Sequence, residues 1–420
     1  MTAHPSPPKA YVPARSLRFI AAFIVTALLF ALGQFHRSSG SVLSSVITEQ
    51  FDLRPEQIGF VIGIMFIAQA VGQIPSGVLI DRYGTRRALA GMGLLASLGC
   101  LLVASANDWI LLMVGRALIG FGFSAAMMGS FKLFAAWVPP CRTTTLTGRY
   151  MFFGLLGGLL ATTPLTLLLD NLGWQSVFLL FAAGTAVMAC LIAVVVRDAP
   201  PQAINGPSDP PETLIQVIRG LATVFRKREL WPMLLAAPLL YTPSQMLLGL
   251  WAMPYLADVH GLPTLLRSYC LITMVVGMSL GPLVYGFLDR RSKLRWRIVT
   301  FGALVVASAF LALALLGEDH WLIATALSAL ICGSSTFFLL IISRAQAMFR
   351  PSQAGRVVST IGVISLAGVF VTQSGSAIIL GFFPSEGATA SALGYRVLFG
   401  LMALASGLVA YLSTRMREAG

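Results

Sequence analysis

The sequence predicts an all-α membrane protein with twelve transmembrane helices arranged as two pseudo-symmetric six-helix bundles. Hydrophobic residues make up 57% of the 420 residues and charged residues only 11%, against about 25% charged residues in an ordinary soluble domain. Apolar stretches of about 20 residues, the length that crosses a bilayer, recur along the whole chain. They lie near residues 17–47, 58–80, 88–105, 109–136, 148–169, 174–196, 231–257, 265–288, 298–316, 321–349, 357–382 and 394–412.

A polar linker divides these stretches into two sets of six. Residues 199–213 are rich in proline and poor in apolar residues, a composition typical of linkers. Apolar residues at helical spacing follow, with arginine and lysine at the other positions, which favours an amphipathic helix on the membrane surface over a solvated connector. We expect a cytoplasmic tail (1–16), an N-terminal bundle (17–196), a cytoplasmic linker (197–230), a C-terminal bundle (231–412) and a second tail (413–420).

The two halves repeat one charged pattern. Asp81 and Arg82 end the second predicted span, and Asp289 and Arg290 end the eighth, 208 residues later. Two equivalent halves with a site between them are typical of secondary carriers.

Lysines and arginines are distributed unevenly between the predicted loops. Twenty-two lie on the side of the N-terminus, and three, Arg54, Arg267 and Arg396, lie on the opposite side. Because such residues stay on the cytoplasmic side, we expect a multi-pass protein of the inner membrane with both termini in the cytoplasm. The net charge of +13 then reflects topology and contact with anionic lipids, and no nucleic acid is expected as a partner.

The loop between the second and third spans carries a motif. Residues 77–89, GVLIDRYGTRRAL, fit the pattern G-x-L-a-D-r-x-G-r-[KR] at Gly77, Leu79, Asp81, Arg82, Gly84, Arg86 and Arg87. RALIGFG at 116–122 and GWQSVF at 173–178 are two further patterns. On these residues the chain resembles the major facilitator superfamily over roughly residues 17–412, and the resemblance implies a twelve-helix carrier.

The loop motif predicts a conformational gate. Asp81 can accept charge-assisted hydrogen bonds from Arg82, Arg86 or backbone N–H groups of another helix, and Gly84 permits a tight turn. The resemblance implies that this cluster, which includes Gly77 and Arg87, latches the cytoplasmic side while the carrier faces outward. Asp289 and Arg290 form its degenerate second copy. The alternative is that the arginines only anchor the loop to the membrane surface.

Arg37 is the most discriminating residue for function. A charged side chain inside a span costs about 2.5–3.5 kcal/mol on insertion scales, so it normally faces a partner or a water-filled cavity. QFHRSSGSVL, residues 34–43, resembles the first helix of the anion:cation symporters and organophosphate antiporters, in which an arginine binds the substrate's carboxylate or phosphate. The alternative is an interfacial arginine that extends outward to the headgroups.

Two more polar residues inside spans have open roles. His36 is interpreted either as carrying a coupling proton or as a satisfied polar group. Arg116 matches an arginine found in this superfamily across many substrates, and the resemblance implies that it organises the N-terminal bundle or tunes a neighbouring proton site; the alternative is direct contact with substrate. Lys132 and Arg344, near cytoplasmic helix ends, either extend to the headgroups or act as a gate.

Other candidates for substrate binding are polar and aromatic. Gln69 and Gln73 share one face of the second helix, and Gln245 and Gln373 lie in the seventh and eleventh spans. Trp251 and Tyr255 either form an aromatic wall of the site or belong to an interfacial belt.

All sixteen acidic residues fall at predicted helix ends, loops or tails, which makes a proton-driven exporter of cationic drugs less favoured. The five cysteines show no metal-ligand spacing, and the chain has no nucleotide loop or catalytic triad. We therefore expect no enzyme, cofactor or metal, but a monomeric secondary transporter of a small, anionic organic solute, coupled to a proton or another ion. Alternatives are an exporter of drugs or metabolites, a transporter of a siderophore or metal chelate, and a non-transporting sensor or scaffold.

Overall fold

The structure is a computed structural model that describes residues 17–198, 225, 230–291, 295–349, 351–383 and 390–415. Within these residues, ten helices are long and apolar enough to cross a membrane. Helix Pro55–Ala104 is broken at Gly84 and therefore forms two spans. Helix Pro140–Leu160 and the part of Thr163–Val195 before the break at Gly173 together form one more. The described residues thus contain the twelve predicted spans.

The helices of the N-terminal half form spans 1 to 6. In chain order they are Leu17–Ser38 with Gly40–Phe51 (span 1), Pro55–Ala104 (spans 2 and 3), Trp109–Phe123 with Ala126–Trp137 (span 4), Pro140–Leu160 (span 5) and Thr163–Val195 (the end of span 5, and span 6).

The helices of the C-terminal half form spans 7 to 12. They are Trp231–Leu240, Thr242–Met246, the π-helix Leu247–Trp251 and Ala252–Asp258 (span 7), Thr264–Arg291 (span 8), Arg295–Leu316 (span 9), Trp321–Ser334, the 3-10 turn Ser335–Phe337 and Phe338–Ala347 (span 10), Pro351–Gly381 (span 11) and Ala392–Thr414 (span 12). The predicted linker helix falls almost wholly outside the described residues.

Two boundaries differ from the sequence prediction. Span 1 continues to Phe51 instead of ending near residue 47, because a turn at Ser39 is followed by a second helical piece. Span 5 begins at Pro140 instead of near residue 148, since its first two turns are polar yet carry a proline at the position where a helix readily starts.

Glycines allow the spans of each half to approach closely. A side chain at Gly120 in span 4 would overlap the carbonyl of Met65 in span 2, and one at Gly157 in span 5 would overlap that of Ala31 in span 1. Small residues at helix interfaces are typical of membrane proteins, where packing rather than the hydrophobic effect drives association.

The bundle has two ends, which we name by one loop residue each. The Asp52 end contains the loops at 52–54, 105–108, 259–263 and 317–320, and the Asp81 end contains residues 81–87, 138–142 and 196–198. The two halves pack together along spans 2 and 11 and, near the Asp52 end, along spans 1 and 7 and spans 5 and 8. The structure is therefore closed between the halves at the Asp52 end.

Candidate functional site

Arg37 lies at the boundary between the two halves. Its guanidinium carbon is 5.8 Å from the ring centre of Phe66 in span 2 and 5.2 Å from that of Tyr241 in span 7. Because Arg37 contacts both halves, the alternative of an interfacial arginine that extends to the headgroups is wrong. Span 1 continues past Arg37 as the second helical piece Gly40–Phe51, in which Gly40, Ser41 and Ser44 contact span 7.

The guanidinium of Arg37 retains unused hydrogen-bonding capacity. Its Nη1 donates to Oε1 of Gln34 at 3.0 Å, one helical turn earlier. Its Nε is buried and has no acceptor in the part of the chain that the structure describes. The two aromatic rings attract the guanidinium by cation–π interaction but accept no conventional hydrogen bond from it. The side chain is thus positioned, yet its donors are incompletely satisfied.

Two of the predicted glutamines, one from span 7 and one from span 11, meet where the C-terminal half packs against span 2. Nε2 of Gln373 donates to the backbone carbonyl of Gln245 at 3.0 Å. The side-chain oxygens of both residues are buried without a donor among the described residues. A side chain at Gly249 would lie 2.8 Å from Nε2 of Gln373 and 3.3 Å from Oε1 of Gln245. Glycine at residue 249 therefore leaves room for this pair.

The two glutamines predicted in span 2 are Gln69, which is buried, and Gln73, which lies next to span 11. Gln69 is 8% exposed, and its Oε1 is buried without a donor in the described part of the chain. Oε1 of Gln73 lies 3.6 Å from the position of a Cβ added at Gly362 in span 11. Phe66 belongs to a small apolar cluster with Leu366 of span 11. Span 2 thus contributes the amide of Gln73 and the ring of Phe66 to the boundary on which Arg37 lies.

Trp251 and Tyr255 do not occupy either of their expected environments. They are 0% and 2% exposed, so neither side chain borders an open site and neither faces lipid. The indole of Trp251 donates to Ser376 at 2.7 Å, and the hydroxyl of Tyr255 donates to the carbonyl of Gly317 at 3.0 Å. Both bonds lie within the C-terminal half. The two side chains therefore fix span 7 to its own bundle.

Two serines of span 1 close the Asp52 end against span 7, at its π-helix and at the first turn of the helix that follows. The backbone N–H of Met253 donates to the hydroxyl oxygen of Ser41 at 2.8 Å, and the hydroxyl of Ser44 lies 3.3 Å from the carbonyl of Leu250. A π-helix leaves backbone groups without their usual intrahelical partners. The serines satisfy such groups across the boundary, so this closure involves the backbone of span 7.

Asp81 pairs within its own half. Its carboxylate accepts from Lys132 of span 4 at 2.5 Å, and the two side chains are 43% and 49% exposed. The expectation that Arg82 or Arg86 donates to Asp81 was wrong: the carboxylate pairs with Lys132 of span 4, while the guanidinium groups of the two arginines have other contacts. The pair also corrects the expectation that Lys132 extends to the headgroups.

The remaining loop residues have different partners. The backbone N–H of Arg86 donates to Asp198, which follows span 6, at 2.7 Å, and Nε of Arg86 donates to the carbonyl of Ala193 at 2.5 Å. Gly84 has φ +84°, and a side chain there would overlap Asp198. This conformation and close approach confirm the turn predicted at Gly84.

The other members of the predicted gate lie nearby or cannot be assigned contacts. Arg82 and Arg87 are exposed, and the guanidinium of Arg82 lies over the ring of Tyr83. A Cβ added at Gly77 would lie 3.6 Å from the sulfur of Met128. Asp289 ends the equivalent region of span 8. The side chain of Arg290 lies outside the described residues.

His36 and Arg37 are consecutive but lie in different environments. His36 is fully buried in the N-terminal half, with its Nε2 3.7 Å from the sulfur of Cys100 and its ring against Phe123. Its Nδ1 has no partner among the described residues. Arg116, 2% exposed, also lies inside this half. The structure therefore separates His36 and Arg116 from the residues that surround Arg37.

Several residues of this arrangement were not identified from the sequence. They are Gln34, Phe66 and Tyr241 around Arg37, Ser41 and Ser44 at the Asp52 end, and Asp198 beside the loop motif. The position of Gln34 one turn before Arg37 was a usable signal. The others depend on contacts between distant parts of the chain.

Comparison with known proteins places this geometry in a family. Residues 18–373 match the model of the Major Facilitator Superfamily. The probable sulfoacetate transporter SauU of Cupriavidus necator is 24% identical over 176 residues, 42% of this chain, so the chain spans only 41% of the length of that relative. The hexuronate transporter of Bacillus subtilis is 23% identical over 325 residues, 75% of this chain and 76% of its own length.

Solved structures agree with the fold. A bacterial homolog of the human lysosomal transporter Spinster, in an inward-facing and unoccupied conformation, superposes with a TM-score of 0.75 at 18% identity, covering 97% of this chain and 100% of the other. The nucleoside transporter NupG superposes with a TM-score of 0.74 at 12% identity, covering 96% of this chain and 99% of NupG.

Proposed function

Because this chain belongs to the major facilitator superfamily, we propose that it is a secondary transporter that moves a small organic anion across the inner membrane by alternating access. The position of Arg37 carries this proposal. A cation held between the halves, in contact with Phe66 of one and Tyr241 of the other, lies where carriers of this architecture bind their substrates.

The chemistry of Arg37 favours an anion. Its hydrogen bond within the protein goes to the neutral amide of Gln34, and its Nε has no acceptor among the residues described. A guanidinium is a planar fork of donors that matches a carboxylate, sulfonate or phosphate. Such a group would supply the missing acceptors and the counter-charge.

The amide groups favour a substrate that also carries hydrogen-bond donors. Within the described residues, the side-chain oxygens of Gln69, Gln245 and Gln373 are buried without donors, and a buried acceptor without a donor costs about 1–3 kcal/mol. Three relatives are named for transport of sulfoacetate, galactarate or D-glucarate, and hexuronate, all of which are organic anions. These names support the same substrate class here.

The closure at the Asp52 end supports alternating access. Contacts of Ser41 and Ser44 with span 7 join the halves on one side of Arg37, while the Asp81–Lys132 pair on the other side is half-exposed and lies within one half. We infer that a substrate reaches Arg37 from the Asp81 end in this conformation. The gate role of the loop motif belongs to the opposite conformation.

Uptake of an anion into a cell requires compensation of its charge. Each elementary charge moved against the membrane potential costs about 2.3 kcal/mol per 100 mV. We therefore propose symport with a proton or another cation. Uptake into proteoliposomes is measured under an imposed pH gradient and, separately, under a sodium gradient, and the gradient that stimulates uptake identifies the ion. If neither gradient stimulates uptake, symport with a proton or sodium is contradicted.

The test of the anion site is affinity in Arg37 variants. Removing a charged partner from a buried, hydrogen-bonded pair costs about 2–5 kcal/mol. Arg37→Ala should therefore weaken binding at least about thirtyfold, and Arg37→Lys should also bind poorly, because an ammonium cannot reproduce the fork. Binding of sulfoacetate, hexuronates and aldarates is measured by thermal shift and calorimetry on purified protein.

The matched control for Arg37→Ala is Arg54→Ala, since Arg54 is an exposed arginine at the Asp52 end and should leave affinity unchanged. Folding of each variant is checked by size-exclusion chromatography. Equal affinities of the wild type, Arg37→Lys and Arg37→Ala for every ligand would remove Arg37 from the site.

We also propose that the Asp52 end faces the periplasm and that both termini are cytoplasmic, from the distribution of arginine and lysine. Asp52 and Tyr83 are exposed at opposite ends. In a cysteine-free background, a membrane-impermeant maleimide added to intact cells should label Asp52→Cys and not Tyr83→Cys. The reverse pattern would invert the orientation.

A further inference from the structure

Span 7 has an irregular turn where it meets span 1. The backbone N–H of Ala252 donates to the carbonyl of Leu247, five residues earlier, as in a π-helix. Pro254 follows inside the helix Ala252–Asp258 and is buried. A proline has no backbone N–H to donate, and its ring clashes with the carbonyl four residues earlier. That carbonyl belongs to Leu250, which therefore lacks its usual helical donor.

A serine of the opposite half supplies a donor to this carbonyl. The hydroxyl of Ser44 in span 1 lies 3.3 Å from the carbonyl oxygen of Leu250 and 2.8 Å from that of Ser41, one turn earlier in its own helix. A hydroxyl has one proton, so Ser44 shares it between the two carbonyls. Leu250 and Ser44 are both 0% exposed, so bulk water does not reach the contact. The Leu250 carbonyl thus depends on Ser44 while the Asp52 end is closed.

The closed and open conformations treat this carbonyl differently. A buried carbonyl without a donor is costly, because its hydration is lost and not replaced. Closure provides the donor from span 1, whereas opening of the Asp52 end removes Ser44 and admits water in its place. A residue other than proline at position 254 would supply the donor within span 7 in both conformations. We propose that Pro254 is a positioning residue of the transport cycle, which frees the Leu250 carbonyl so that closure of the Asp52 end depends on a hydrogen bond between the halves.

Such a bond suits a contact that breaks and re-forms in every cycle. A hydrogen bond between neutral groups contributes little net free energy when water can replace the partner. The bond from the N–H of Met253 to the hydroxyl oxygen of Ser41, at 2.8 Å, is of the same neutral kind. Pro254 thereby adds a second weak bond to the closure. This role rests on the proposed alternating access but not on substrate contact by Arg37.

The test is a double-mutant cycle between Ser44→Ala and Pro254→Ala, read from the maleimide labelling rate of Ser268→Cys in purified, otherwise cysteine-free protein. Ser268 of span 8 is 0% exposed, and its hydroxyl lies 3.0 Å from that of Thr163 in span 5, across the boundary. A cysteine there is reached when the Asp52 end opens.

The effect of Ser44→Ala should depend on the residue at position 254. With Pro254 present, the loss of the hydroxyl leaves the buried Leu250 carbonyl without a donor in the closed conformation, so labelling should be about fivefold faster. In Pro254→Ala, the N–H of residue 254 donates to this carbonyl as in a regular α-helix. Ser44→Ala should then change the rate by less than about twofold, the usual error of additivity.

Two matched controls isolate this pair of residues. Ser39 is a buried serine of span 1 whose hydroxyl donates to the carbonyl of His36 in the same span. Ser39→Ala should therefore have the same effect with and without Pro254→Ala. Pro238 lies in the first helical piece of span 7, and Pro238→Ala should leave the effect of Ser44→Ala unchanged.

Equal effects of Ser44→Ala in both backgrounds would overturn the role of Pro254 and leave alternating access intact. Absence of labelling in every variant would mean that the Asp52 end does not open, which would overturn both. If Pro254→Ala does not fold, Ser44→Thr and Ser44→Val decide, because these side chains have nearly the same shape and differ in the hydroxyl. Ser44→Val should be labelled about fivefold faster than Ser44→Thr, and equal rates would overturn the proposal.

Discussion

A methyl group at residue 40 should shift the carrier away from the conformation described here. Gly40 begins the second helical piece of span 1 at the Asp52 end. A Cβ there would overlap the carbonyl of Gly249 in span 7 and lie 2.7 Å from Cγ2 of Ile62. The overlap with Gly249 is with backbone of the opposite half, so no rotamer change relieves it, and the two halves must separate.

The expected magnitude follows from the cost of overpacking. An additional methyl in a well-packed interior costs about 1–3 kcal/mol, which corresponds to a factor of about 5–150 in an equilibrium. Alternating access separates spans 1 and 7 at the Asp52 end in the opposite conformation, where the overlap with Gly249 is removed and only the contact with the side chain of Ile62, in the same half, remains. Gly40→Ala should therefore raise the fraction of molecules open at the Asp52 end by about that factor until the fraction saturates.

The assay is the maleimide labelling rate of Ser44→Cys in a cysteine-free background, with and without Gly40→Ala. Ser44 is 0% exposed and contacts span 7, so it is reached only when the Asp52 end opens. The matched control is Gly91→Ala, because a Cβ at Gly91 has no neighbour within 4 Å among the described residues and should leave the rate unchanged. Equal labelling rates with and without Gly40→Ala, in folded protein, would refute the assignment of this contact as the closure.

Two further predictions concern the ends of the bundle. Because the Asp81–Lys132 pair is about half-exposed, Asp81→Asn and Lys132→Met should each change the unfolding midpoint little, with a coupling below about 1 kcal/mol in a double-mutant cycle, while Asp81→Asn lowers transport turnover more than substrate affinity. Unchanged turnover would contradict the gate role. Burial lowers the pKa of His260, and His320 adds to this, whereas Glu318 and the carbonyl of Gly317 oppose it. The stability contributed by neutral His260 is fully present above the pKa of this histidine in the unfolded state. It falls as the pH is lowered from that pKa towards the lower pKa of the folded state. His260→Gln should therefore reduce the loss of unfolding midpoint between about pH 7.5 and 5.5, and an unchanged pH dependence would contradict it.

The sequence by itself determined the class of the protein and its spans. A bilayer requires about 20 apolar residues per helix and leaves backbone groups no water to bind, so hydropathy alone located the twelve spans. The turn at Gly84 was also predictable, because a motif glycine between two helices supplies a backbone conformation that other residues avoid. Arg37 was identified as a candidate substrate-binding residue because a charge inside a span is energetically costly and needs a function or a partner.

Only the tertiary structure decided which side chains meet. Lys132 and Asp81 are 51 residues apart, and nothing local to either residue specifies that they pair rather than Asp81 with Arg86. The same holds for Trp251. Its hydrophobicity fits the wall of a substrate site and an interfacial aromatic belt equally well, but its indole is hydrogen-bonded to Ser376, 125 residues away.

The separation of His36 from Arg37 has the same origin. Two consecutive residues of a helix point about 100° apart, but which direction faces the boundary depends on how span 1 packs against spans 4, 6 and 7. That packing directs His36 towards Cys100 and Phe123 and Arg37 towards Tyr241. Sequence spacing defines the faces of a helix, and only the contacts between distant helices decide what each face meets.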